Sequence, residues 1–145
     1  MEEVNEAKLR RTLFYSKALS ADVNAGLNPT YQDAHEKQNA CYLGRGIAIS
    51  KYTGSGGKSG ASDANAEFVG EIRRIFSRDH IIWQAGELGK IDEGGGGTVA
   101  KFLAAYGMDI IDCGPALLAM HSPYEISSKF DMHESFRAFR TFFKS

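Results

Sequence analysis

Residues 109–125, Asp-Ile-Ile-Asp-Cys-Gly-Pro-Ala-Leu-Leu-Ala-Met-His-Ser-Pro-Tyr-Glu, decide the fold. The apolar run reads as a strand buried on both faces and interrupted by Gly114-Pro115, and such strands belong to sheets covered by helices. Open α/β sheets place their ligands beyond the ends of their strands. His121, delivered into the turn that follows, is therefore a candidate site residue.

Working outward, helices and strands alternate. Residues 5–17 carry Leu9, Leu13 and Phe14 at helical spacing among Arg and Lys. They lead into a short strand, Ala18 to Val23, that ends near Asp22. Residues 28–39 are polar and loop-like, and Gly46 to Tyr52 alternates as a strand does. Thr53 to Gly60 reads as a flexible glycine-rich loop. Ser62 or Asp63 then caps a helix running to Arg78, with Phe68, Ile72, Ile75 and Phe76 as its apolar stripe. Residues 81–84 form a strand. Gly94–Gly97 and Thr98 lead a helix that stops at Gly107, and a last helix over 128–143 sets Phe136, Phe139, Phe142 and Phe143 on one side. The pattern predicts one layered α/β/α domain over 1–145, its sheet mixed or mostly parallel and flanked by helices.

Composition narrows the function classes. The chain has 145 residues, 43% of them hydrophobic, a net charge of −1 and a pI near 6.4. That balance carries no electrostatic footprint for nucleic acid or an anionic membrane. No apolar run approaches the ~20 residues a membrane span needs. Cys41 and Cys113 match no CxxC spacing and read as buried, reduced thiols. The expected setting is soluble and cytoplasmic.

Two glycine-rich segments invite a nucleotide reading that their spacing refuses. A phosphate-binding loop needs Gly, four residues, then Gly-Lys-Ser; Gly57-Lys58-Ser59 fits, but the first position falls on Tyr52. The dinucleotide pattern counted from Gly54 and Gly56 puts its last glycine on Ser59. Four glycines at Gly94–Gly97 let backbone amides approach an anion, or serve as a plain hinge. Metal chemistry is the other candidate, since hydrolytic zinc sites take His nitrogen and Asp or Glu oxygen from loops at strand ends. Asp22 and His121 each stand at such an end. His35, His80 and His133 read as solvated surface residues.

Three ordered motifs, Gly86-Glu-Leu-Gly-Lys-Ile-Asp-Glu-Gly-Gly-Gly-Gly-Thr98, Tyr106-Gly-Met-Asp-Ile-Ile-Asp-Cys-Gly-Pro115 and Met120-His-Ser-Pro-Tyr-Glu125, resemble the C-terminal part of the aspartyl aminopeptidase and vacuolar aminopeptidase I family. Tyr52 to Gly60 with Asp63-Ala-Asn65 is similar to its bacterial branch, and Ser20-Ala-Asp-Val23, Asn28-Pro29 and His35-Glu36 match upstream. The resemblance covers residues 9–145. It implies a cytosolic zinc exopeptidase with two metal ions that removes an N-terminal residue, often acidic, from peptides. Of the family's ligands, a His, a bridging Asp, a Glu, an Asp and a final His, two map here: Asp22 and His121, each on a different zinc. By the same resemblance Met120, Gly97, Thr98 and Lys51 lie beside the substrate. A His that some members carry three positions after the ligand Asp is Ala25 here.

The remaining ligands and the general-base carboxylate precede the Ser-Ala-Asp strand in the family, together with an inserted oligomerisation domain. They are expected to lie outside this chain, which leaves no catalytic residue to assign within it. Glu2-Glu3-Val4 echoes the family's Glu-Glu pair, but Met1 stands for the usual Asp, Asn5 for the glycine, and Asp22 follows too soon. A hydrolytic zinc takes about three protein ligands plus water, so the chain alone is expected to be silent. A complementing N-terminal portion would supply the rest, and exposed edge strands and apolar surface predict pairing with it or a homo-oligomer. The alternative is a non-catalytic remnant serving as a binding or assembly module.

Overall fold

The computed structural model describes residues 5–55, 59–90 and 93–145. The Glu2-Glu3 pair and the Gly57-Lys58 dipeptide lie outside them. In chain order the elements are α1 (Glu6–Phe14), β1 (Lys17–Ser20), β2 (Asn24–Ala25), a 3-10 turn (Gln32–Ala34), β3 (Ile47–Ser50), β4 (Tyr52–Ser55), β5 (Ser59–Asp63), α2 (Ala66–Arg78), β6 (Trp83–Ala85), β7 (Gly95–Gly96), α3 (Ala100–Ala104), β8 (Asp109–Gly114), β9 (Ala116–Leu118), β10 (Ile126–Ser127) and α4 (Lys129–Phe142).

The main sheet has four strands in the order β1-β8-β3-β6. β1 runs parallel to β8, β8 antiparallel to β3, and β3 parallel to β6, so the expected mixed sheet is what forms. Alternation along β3 and β8 sorts their side chains between two faces. Ile47, Ile49, Ile111 and Cys113 join Phe68, Ile72, Ile75 and Phe76 of α2 and Ala138 of α4 in the principal core. Each large side chain buried there contributes about 2 kcal/mol. The opposite face holds only a small cluster of Cys41, Ala48 and Ala116. Most of the stabilisation thus sits on one face; α3 packs on β8, and the remaining strands form two three-stranded sheets, β10-β9-β2 and β5-β4-β7.

The buried run of residues 109–117 is two strands, not one. Pro115 has no N–H to give the ladder, and beyond it β9 leaves the main sheet to pair with β2 and β10. The described residues of the glycine-rich segment, expected to be a flexible loop, belong to the antiparallel strands β4 and β5, and β7 pairs with β4. Gly95 and Gly96 are therefore strand residues and not the N-terminus of a helix. α3 begins only at Ala100, and its N-cap Val99 makes no side-chain bond. The cap of α2 is Asn65, whose Oδ1 accepts the Phe68 amide at 2.7 Å, because Ser62 and Asp63 belong to β5.

Two helices present faces that periodicity alone misplaces. α1 buries none of its residues, and Leu9 and Phe14 are 51% and 57% exposed. In α4 the buried residues are Asp131, Glu134, Ser135, Ala138 and Thr141, whereas Phe136 and Phe143 face outward. The reason is hydrogen bonding. Asp131 accepts the amides of Gly44 and Gly46 at 2.7 Å each, and Glu134 accepts that of Ile82 at 2.7 Å. Buried amides in those loops require acceptors, and α4 supplies them. Burial opposes ionisation of Glu134, but the Ile82 amide and Arg137 hold its carboxyl below the usual range.

Candidate active site

Ser20 of β1, Asp112 of β8 and Ser50 of β3 are register partners, a polar row across three strands. All three are buried. The row lies on the face away from α2 and α4, and two of its members, Ser50 and Asp112, line a cleft with Asp22, Asn24, Tyr52 and Thr98, among others. At about 30 Å³ it admits two or so water-sized groups.

A hydrogen-bond network orders the cleft. Asn24 Nδ2 donates to Ser50 Oγ at 2.5 Å, and Ser50 Oγ donates to the Gly86 carbonyl at 2.9 Å. Thr98 Oγ1 donates to Asp112 Oδ2 at 2.9 Å. Asn24 Oδ1, Asp112 Oδ1 and Ser20 Oγ, all buried, accept or donate nothing among the described residues. Burial pushes the Asp112 carboxyl up from the ordinary carboxylate range; the nearby Ser20 and Thr98 hydroxyls oppose that shift, and the charge of Asp22 adds to it. Burial raises Glu87 to about 7, against the Tyr52 amide that hydrogen-bonds to it, while Asp63 reinforces and Lys51 opposes the shift.

The structure brings together some of the residues singled out by sequence. Asp22 and Thr98 line the cleft, with Gly97 next to Thr98, while Lys51, Met120 and His121 do not line it. Asp22 follows β1 and turns its Oδ1 onto the Val23 amide at 2.8 Å. Lys51 is exposed and paired with Asp63. His121 is exposed in the turn after β9, with φ of 65° and its amide donating to Glu125 Oε1 at 2.7 Å. His35 is half-buried and not a solvated surface residue: its Nδ1 is enclosed without a hydrogen-bond partner among the described residues, and burial lowers its pKa. His80 and His133 are exposed.

Asn24, Ser50 and Asp112 were missed. The available signal was one polar residue at or near the end of each otherwise apolar strand, as in Ile-Ala-Ile-Ser50 and Ile-Ile-Asp112-Cys. Only strand register shows that Ser20, Asp112 and Ser50 form one row.

The aminopeptidase I zinc metalloprotease (M18) family model matches residues 2–143. The chain belongs to that family. It is 54% identical over 140 residues to a protein described as a probable M18 family aminopeptidase 1 from Clostridium acetobutylicum, covering 97% of this chain and 30% of that protein. The crystal structure of an M18-family aminopeptidase from Thermotoga maritima superposes with a TM-score of 0.91 at 50% identity, covering 96% of this chain and 31% of the other. The S. cerevisiae mApe1 dodecamer, at 23% identity and TM-score 0.70, shares the fold over 99% of this chain and 30% of its own. The chain thus spans under a third of the length of these relatives.

M18 is a zinc family, and the donors present here can be tested against that metal. A zinc centre needs about three protein donors converging on one point. Among the described residues no three His, Cys, Asp or Glu side chains form such a group. Asp22 offers a carboxylate in the cleft and His121 an exposed imidazole, which together do not complete a centre. No helix of the described residues is long and apolar enough to cross a membrane.

Proposed function

We propose that this chain is the C-terminal portion of the catalytic domain of a zinc metallo-aminopeptidase, which hydrolyses an N-terminal, often acidic, residue from peptides in the cytoplasm. Asp22 and His121 are its ligands to two zinc ions, and the rest of the ligand set comes from groups beyond the described residues. Lys51, Gly97, Thr98 and Met120 face the peptide. The observation that carries this reading is the placement of Asp22, beside Thr98, in a cleft at the end of a parallel strand pair, within a chain matched by the M18 family over residues 2–143. Apolar residues exposed on α4 and at its C-cap, Met132, Phe136 and Phe143, support a homo-oligomer, since exposed apolar surface marks association sites.

The test is zinc-dependent release of an N-terminal aspartyl or glutamyl residue from a chromogenic peptide, measured for the chain alone and with the N-terminal portion of an M18 relative added. The chain alone is silent and the mixture active, with activity lost in Asp22→Asn and in His121→Ala. A mixture that associates yet neither binds zinc nor cleaves any aminoacyl substrate overturns the peptidase reading. That outcome favours the assembly module.

A further inference from the structure

Asp112 has no role in the function proposed above, yet its setting is unusual. It lies in β8, between β1 and β3, and is 6% exposed. A carboxylate at this depth is costly, and an apolar residue would fill a strand position at less expense. One oxygen takes the Thr98 hydroxyl proton in a hydrogen bond at 2.9 Å, and the other has no partner among the described residues. Thr98 Oγ1 in turn accepts the Ala100 amide at 3.3 Å. The hydroxyl has one proton to donate, and Asp112 holds it.

The segment that carries Thr98 lies between two short elements, of which α3 packs on β8 and β5. On one side is the two-residue β7, paired with β4, and on the other the five-residue α3. A hydrogen bond to a charged or strongly polarised carboxyl is among the stronger single bonds available, and here it ties the irregular backbone of residues 97–98 to a central strand of the sheet. We infer that Asp112 is a positioning residue that fixes the Gly97-Thr98 turn over the cleft through the Thr98 hydroxyl, so that the turn offers a bound peptide its backbone and the Thr98 methyl and not the hydroxyl. What the turn touches rests on the peptidase reading; the tether itself does not.

Amide hydrogen exchange by mass spectrometry on this chain tests the tether. Thr98→Val and Asp112→Ala each accelerate exchange of residues 95–101 about tenfold or more, as loss of a hydrogen bond to a charged group implies. The double variant goes no faster than either single, because both remove one bond. Thr98→Ser and Asp112→Asn, which keep a donor and an acceptor, retain most of the protection. Exchange in α2 and α4 stays unchanged. The inference is overturned if Thr98→Val leaves residues 95–101 within twofold of the parent chain, if the two effects multiply, or if Asp112→Ala loosens α2 and α4 equally. Activity does not enter, so an inactive chain counts against the peptidase reading alone, and an unmoved turn against the tether alone.

Discussion

Gly114 ends β8 where the chain of Asp22 passes close beside it. A Cβ at this position would stand 2.9 Å from the Asp22 carbonyl carbon, closer still to its oxygen, and 3.5 Å from the Val23 nitrogen. Ordinary contact begins at 3.4 Å. The obstruction is backbone on both sides, so no rotamer relieves it, and the Asp22 carbonyl oxygen, the nearest atom, must retreat by about 1 Å or more. Overpacking of this kind costs about 1–3 kcal/mol, and a rigid pair of chains belongs at the upper end. Gly114→Ala should therefore lose about 2–3 kcal/mol in urea denaturation followed by the fluorescence of Trp83, the single tryptophan. Gly70→Ala is the control. Gly70 lies inside α2 with nothing within 4 Å of a new Cβ, so the same change should stabilise by about 0.5–1 kcal/mol through helix propensity. A Gly114→Ala chain within about 0.5 kcal/mol of the parent would refute the close approach, as would equal losses at both positions.

Further expectations follow from the network around the core. Asp131→Ala strands the Gly44 and Gly46 amides and should cost about 3 kcal/mol or more in the same assay; a loss under about 1 kcal/mol would contradict the bonding described. Asn65→Ala removes the cap of α2 and should cost about 1 kcal/mol, read as earlier thermal unfolding. Folded Glu87 keeps its proton to about 7, while its unperturbed value is 4.5. The native state therefore binds more protons within that window, and stability should fall as pH rises through it. Solvent screening at this half-buried position limits the loss to about 1–2 kcal/mol, and Glu87→Gln should flatten the slope; an unchanged slope in the variant would assign it to another group.

The strongly patterned elements were legible. The stripe of α2 is buried as its spacing predicts, because Phe68, Ile72, Ile75 and Phe76 recur on one side of a helix and meet a complementary strand face. Of the α4 phenylalanines, Phe139 and Phe142 pack against that core as their rhythm predicts, while Phe136 and Phe143 stay exposed. Periodicity identifies which residues share a face, but burial also depends on which face satisfies the backbone groups opposite, and Asp131 and Glu134 do so. The glycine-rich segment was read as a loop because glycine carries no strand signal of its own; pairing partners distant in sequence order its described residues.

By itself the sequence determined the α/β class, the alternation of elements, the family and the two residues, Asp22 and His121, that carry the proposed metal chemistry, since local periodicity and ordered motifs are written in neighbouring residues. Tertiary structure alone decided that residues 109–117 divide between two sheets, that the large core lies on one face, and that Ser50 and Asp112 of the polar row line the cleft on the other. Those depend on register between strands far apart in the chain, where a shift of one residue would turn every side chain to the opposite face. The opening stretch thus contributes Asp112 to the cleft as well as His121 to the turn beyond it.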